Sequence, residues 1–137
     1  MTPPPATRRV DFAPGRLDVG AAVDWIDVMA DALGADERQR FAAKLCAEEL
    51  LANVLRHGGA PPAVAVTLAR DGDRLTLAIE DGGAPFDPTQ GPAREALGDL
   101  DAARPGGWGL ALIRRFAHDF NYRRNETGNI VQLSFPP

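Results

Sequence analysis

Glu49 and Asn53 stand four residues apart in Cys46-Ala-Glu-Glu-Leu-Leu-Ala-Asn-Val-Leu-Arg-His57, a stretch whose pattern predicts helix. At about 100° per residue, positions four apart differ by about 40° in direction and lie about 6 Å apart along one face. A carboxylate and an amide therefore look out together, and His57 continues their line. A carboxylate can serve as a general base, and an amide oxygen is a hard ligand suited to Mg²⁺. The same pattern also fits a solvated face, because Ala43, Ala47, Leu50, Leu51, Val54 and Leu55 give the helix an apolar back. The helix alone leaves both readings open.

Two later segments carry complementary chemistry. Glu80-Asp81-Gly82-Gly83-Ala84-Pro85-Phe86-Asp87 follows a strand pattern and has carboxylates at both ends of a tightly turned backbone. There Asp81 can accept from an exocyclic amine, and Gly83 lets backbone approach a flat ring, a pairing that can read adenine. Gly106-Gly107-Trp108-Gly109-Leu110 precedes an apolar helix with Leu112, Ile113 and Phe116. Glycines at such a position leave free N–H groups at the positive helix end, where phosphate binds without a basic neighbour. By itself the Gly-Trp-Gly pair is weak, being neither a dinucleotide fingerprint nor a P-loop. Between these segments, residues 88–105 lose all periodicity except a weak helical turn from Ala93 to Leu100. A stretch of that kind within a domain is either disordered or a functional lid.

The remaining chain supplies the elements that must hold these groups. Residues 1–7, with three consecutive prolines, predict a loose lead-in to one domain spanning residues 8–137. Arg8 to Ala13 alternates as a short edge strand. Asp18 then caps a helix whose stripe of Ala22, Trp25, Ile26, Met29 and Leu33 stops at Gly34. Asp36 opens the long helix, which the short connection makes an antiparallel neighbour of the first. After Pro62 the period falls to two: Val64, Val66 and Leu68 alternate before Asp71-Gly72, and Leu75, Leu77 and Ile79 after it, which predicts a hairpin. A second hairpin runs through Phe120 and Tyr122, a turn at Glu126 to Asn129, and a strand to Phe135. The order predicts an α+β fold, a two-layer α/β sandwich with a mixed, mostly antiparallel sheet and its helices on one face.

Composition narrows the function. With 137 residues and 45% hydrophobic content, the chain can bury a core without staples. A net charge of −4 and a pI near 5.1 argue against direct nucleic-acid binding. Any anionic ligand must be gripped locally. The one cysteine, Cys46, excludes an internal disulfide and reads as core or wall. Neither His57 nor His118 belongs to a hydrolase signature. No membrane-span or signal pattern is visible, so the expectation is a soluble, cytoplasmic protein.

Taken together, the three motifs resemble those of the GHKL ATPases, which have the Bergerat fold. Glu49-Leu-Leu-Ala-Asn53 matches the N box, Asp81-Gly-Gly83-Ala-Pro85-Phe86-Asp the first glycine box, and Gly107-Trp108-Gly109-Leu110 the second. Within that superfamily the chain looks most like the stand-alone bacterial anti-sigma-factor serine/threonine kinases, through its Asp-x-Gly-x-Pro-Phe-Asp loop, its Gly-Leu-Ala-Leu-Ile-Arg-Arg run and its closing Gly-Asn hairpin. The resemblance implies ATP and ADP as ligands, with Asp81 on the adenine amine, Gly83 against the base, and Pro85 and Phe86 completing the loop. It further implies Mg²⁺ on Asn53, phosphates on Gly107, Trp108, Gly109 and Leu110, and a lid over residues 88–106. Glu49 becomes the base for a serine or threonine hydroxyl, Arg104 a charge-neutralising lid residue, and His57 a structural one. The implied partners are a STAS-domain anti-anti-sigma protein, a sigma factor and a second copy in a homodimer. The competing expectation is a nucleotide-dependent binding module that sequesters a partner without transferring phosphate.

Overall fold

Where β-branched and aliphatic residues alternate, the chain builds a sheet, and where they recur every three to four residues it builds the helices that cover one face of it. The computed structural model describes residues 6–56, 60–90 and 109–137. In chain order these form β1 (Ala6–Phe12), α1 (Val19–Ala32), α2 (Glu37–Arg56), β2 (Val64–Asp71), β3 (Arg74–Asp81), a 3₁₀ turn (Pro88–Gln90), α3 (Gly109–Phe116), β4 (Asp119–Asn125) and β5 (Gly128–Phe135). Strand β1 begins at Ala6, so the last two residues of the expected lead-in already pair with β2. No described helix is long and apolar enough to cross a membrane.

The strand order is β1-β2-β3-β5-β4, with β1 at one edge as expected. Mixed pairing was expected, yet every described pairing is antiparallel. Strand β4 does run parallel to β3, but the hairpin return of β5 is wedged between them and pairs antiparallel with both.

Register explains which side chains face the helices. Val66, Ile79 and Val131 stand in one cross-strand row, and Leu68, Leu77 and Leu133 in the next. All six are buried, in one core with Ala22, Ile26 and Ala30 of α1, Ala43, Cys46, Ala47, Leu50 and Leu51 of α2, and Ile113 of α3. The helices thus share one face of the sheet. Leu55 departs from the expected apolar back and is 52% exposed. It lies two helical turns beyond the exposed Glu48, only about 20° away in direction, and so falls on the solvent line of α2.

Local signals set the helix ends. The Asp18 carboxylate accepts from the Ala21 N–H at 3.0 Å, and Gly34 leaves α1 with φ +82°. Asp36 and Gln39 form a reciprocal capping box: the Gln39 N–H donates to Asp36 Oδ1 at 2.7 Å and the Asp36 N–H to Gln39 Oε1 at 3.0 Å. The Gln39 amide group also donates to the carbonyls of Asp73 and Phe135, tying the start of α2 to the sheet. Asp27 clasps α1 to α2 through Arg40 at 3.1 Å and Lys44 at 3.2 Å. α2 is thereby fixed between sheet and solvent before its chemical residues are reached.

Candidate functional site

One step past the last apolar row, the inward face of the sheet turns polar. Val64, Asp81, Asn129 and Arg124 are successive cross-strand partners on β2, β3, β5 and β4. Asp81 lies two residues beyond Ile79, so the pleat directs its side chain toward the helix layer. There it meets the end of α2. Leu50, Asn53 and Val54 of α2, Ile79 and Val131 of the sheet, Asp81, Gly83, Ala84, Phe86, Pro88 and Asn129 line one cleft holding about 420 Å³ of space free of protein atoms. Its walls are largely apolar, and Asp81 and Asn129 are hydrogen-bonded to each other within it.

The Asp81 carboxylate is held from one side. Its Oδ1 accepts from the Gly83 N–H at 2.9 Å and from the Asn129 side-chain amide at 3.0 Å. Oδ2 has no donor among the described residues. Gly83 has a steric reason to lack a side chain, since a Cβ there would lie 2.9 Å from Asp81 Oδ1 and 3.8 Å from Pro62. Gly128 has a stronger one: at φ +148° its missing Cβ would overlap the Asp81 carbonyl oxygen. The close approach of the β4–β5 turn to the end of β3 depends on that hydrogen.

Of the residues predicted from the sequence, Asn53, Asp81, Gly83 and Phe86 come together in this cleft. Asn53 is half-buried, and its Oδ1 accepts from the Arg56 guanidinium. Pro85 is exposed on the loop, beside the cleft lining and not in it. Glu49 lies one turn back on α2, half-buried, outside the lining, and without an ion-pair or hydrogen-bond partner among the described residues. Its charge adds to burial, the larger cause, in pushing the Cys46 thiol up to about 12. Cys46 is fully buried and is a core residue. Gly109 opens α3, as a glycine ahead of a helix should, and Leu110 is half-buried in its first turn. Residues 91–108 and His57 lie outside the described residues, and with them Arg104, Gly107 and Trp108. At the root of that segment Asp87 Oδ1 accepts from the Thr89 N–H and hydroxyl, and Arg114 of α3 donates to the Thr89 carbonyl at 2.8 Å.

Asn129, Tyr122 and Arg124 were not predicted as site residues. Asn129 is 3% exposed, and its Oδ1 takes the Tyr122 hydroxyl at 2.5 Å, the Arg124 guanidinium at 3.1 Å and the Phe86 N–H at 3.3 Å. Its amide nitrogen donates to Ala84 O as well as to Asp81. The Gly-Asn pair was visible in the sequence, but only the register of β3 with β5 shows that Asn129 faces Asp81.

Comparisons with known proteins agree with this fold. The histidine kinase-like ATPase domain model matches residues 14–135. Serine/threonine-protein kinase BtrW of Bordetella bronchiseptica is 37% identical over 116 residues, covering 82% of each chain. Two nucleotide-free crystal forms of the catalytic domain of histidine kinase ThkA superpose with TM-scores of 0.53 and 0.54, at 12% identity, over 94% of this chain and 97% of theirs. The solved structures speak for the fold, and the family match for nucleotide binding by the domain. This chain belongs to the histidine kinase-like ATPase domain family and has the GHKL fold.

Proposed function

We propose that this chain is an ATP-dependent serine/threonine protein kinase that acts as an anti-sigma factor and phosphorylates a STAS-type anti-anti-sigma partner. The observation that carries the proposal is the Glu49 carboxylate, without a partner among the described residues, one helical turn from Asn53 on the helix that walls the Asp81 cleft. Similarity to BtrW, a serine/threonine-protein kinase, supports the acceptor class. The form of the Asp81 to Asp87 loop supports the anti-sigma branch.

The chain's own groups suit each task. Asp81 Oδ2 accepts the adenine amine, while Leu50, Val54, Ile79 and Val131 cover the faces of the base. Asn53 is the residue that would hold Mg²⁺ once the Arg56 guanidinium leaves its oxygen, and no described group of three or more acidic, histidine or cysteine side chains forms a separate metal cage. A single hard oxygen fits a cation that shares its coordination with phosphate oxygens. When bound, the ion would neutralise phosphate charge. Glu49 accepts the proton of the attacking hydroxyl as a new bond forms to the γ-phosphorus, and the bond to the β–γ bridging oxygen breaks to release ADP. Such transfer needs positioning and charge neutralisation more than covalent chemistry.

The test is transfer of labelled γ-phosphate to a candidate STAS partner, with nucleotide affinity measured in parallel. Glu49→Gln should slow transfer by about 10²-fold or more if the carboxylate is the base. Equal transfer by the variant rejects that role. A second reading follows from Glu49 lying outside the cleft lining: the chain would hold its partner only when nucleotide is bound. Capture of the partner by wild type with ATP, without label transfer, favours this reading.

A further inference from the structure

We infer that Tyr122, Asn129 and Arg124 form a latch that positions Asp81 and restricts the cleft to purines carrying an amine at the hydrogen-bonding edge. The inference rests on the nucleotide-binding role proposed for the cleft and adds three positioning residues to it.

A side-chain amide has two orientations, and in most proteins the choice is an assignment from surroundings. Here the surroundings leave one. The Tyr122 hydroxyl, the Arg124 guanidinium and the Phe86 N–H all point donors at one end of Asn129. Two of those are groups with no acceptor capacity, so that end must be the oxygen. The other end is then the nitrogen, and it faces two acceptors, Asp81 Oδ1 and Ala84 O. Asp81 is therefore gripped at Oδ1 by two donors, and Oδ2, without a donor among the described residues, is left for a ligand.

The same network fixes the loop. Arg124 donates to Gly83 O at 3.0 Å, and Asn129 bonds the backbone at Ala84 and Phe86. Three backbone anchors, at Gly83, Ala84 and Phe86, thus come from β4 and β5. The result is a rigid acceptor in a largely apolar cleft. A ligand edge that offers a donor is matched, and one that offers none leaves a half-buried carboxylate oxygen unpaired.

The experiment compares calorimetric affinities for ATP and for purine riboside triphosphate, which lacks the 6-amine. Wild type should prefer ATP by about 10²-fold, the order expected when a half-buried carboxylate is left without its donor. Asn129→Ala should cut that preference by about tenfold, and Tyr122→Phe by about threefold, in line with loss of one or part of one hydrogen bond. General loosening of the fold weakens both ligands together and leaves their ratio unchanged, so a variant that keeps the wild-type ratio overturns the latch. Tyr122→Phe retains the buried amide and carries the test if Asn129→Ala does not fold. Wild type that binds neither nucleotide overturns the nucleotide role itself, a result distinct from loss of the latch.

Discussion

At Gly128 the absence of one methyl group decides whether the site exists. A Cβ there would overlap the Asp81 carbonyl oxygen, a backbone atom that cannot swing aside. Gly128→Ala must therefore push β5 away from β3 at the register pair Asp81–Asn129. The expected cost is about 3 kcal/mol, combining overpacking with an unfavourable φ. Urea denaturation measures it, and a loss below about 1 kcal/mol would show that the turn can relax. Gly83→Ala is a different case, because its clash is with the Asp81 carboxylate at 2.9 Å, a side chain that can rotate. Stability should change little while ATP affinity falls, since rotation moves the Asp81 carboxylate from its position in the cleft. Asp81, Gly83 and Asn53 were legible as site candidates from residue type and spacing. Asn129 was not, because its role depends on a cross-strand partner that no local pattern specifies.

Among the elements, α2 carries the greatest burden, and its two ends are secured differently. At the start, Gln39 completes the capping box and also donates to Asp73 O and Phe135 O while itself 3% exposed. Gln39→Ala should cost about 2–3 kcal/mol, the sum of a lost cap and backbone carbonyls left without their donor. Asp18→Ala, an exposed cap on α1, should cost about 1 kcal/mol. Equal losses for the two in urea would contradict the anchoring role of Gln39. Along its length α2 is clasped to α1 by Asp27, whose carboxyl is held below its ordinary range by Lys44 first and then by Arg40. Because the folded value lies below the unfolded one, this contribution is present above the unfolded carboxylate range and disappears as pH falls through the folded value. Asp27→Asn should flatten the acid limb of a stability-against-pH curve. Added salt should shrink the difference, because the pairs are partly exposed. The caps and apolar stripes of both helices were readable because they are local signals of fixed spacing. The exposure of Leu55 was misread because a stripe does not state how wide a helix's buried face is.

For the molecule as a whole, the proposed nucleotide site is a place where two layers meet. The cleft takes Leu50, Asn53 and Val54 from the helix layer and Ile79, Asp81, Asn129 and Val131 from the sheet. The element order was legible because every strand and helix carries its own period, whereas the uniformly antiparallel pairing arises only when β5 inserts between β3 and β4. A ligand seated across both layers binds the folded state and not the unfolded chain, so it must raise stability. At free nucleotide of about 100 times its dissociation constant the gain is about 2.7 kcal/mol. For a domain of this size, at about 4 °C per kcal/mol, that corresponds to a rise in melting temperature of about 10 °C. Asp81→Ala should abolish most of the rise with ATP. Chelation of Mg²⁺ with EDTA should reduce it in wild type, and the reduction should be smaller in Asn53→Ala, whose amide oxygen is gone. A rise that is the same with and without Mg²⁺ in both proteins would remove Asn53 from any metal role while leaving the base-reading end of the cleft intact.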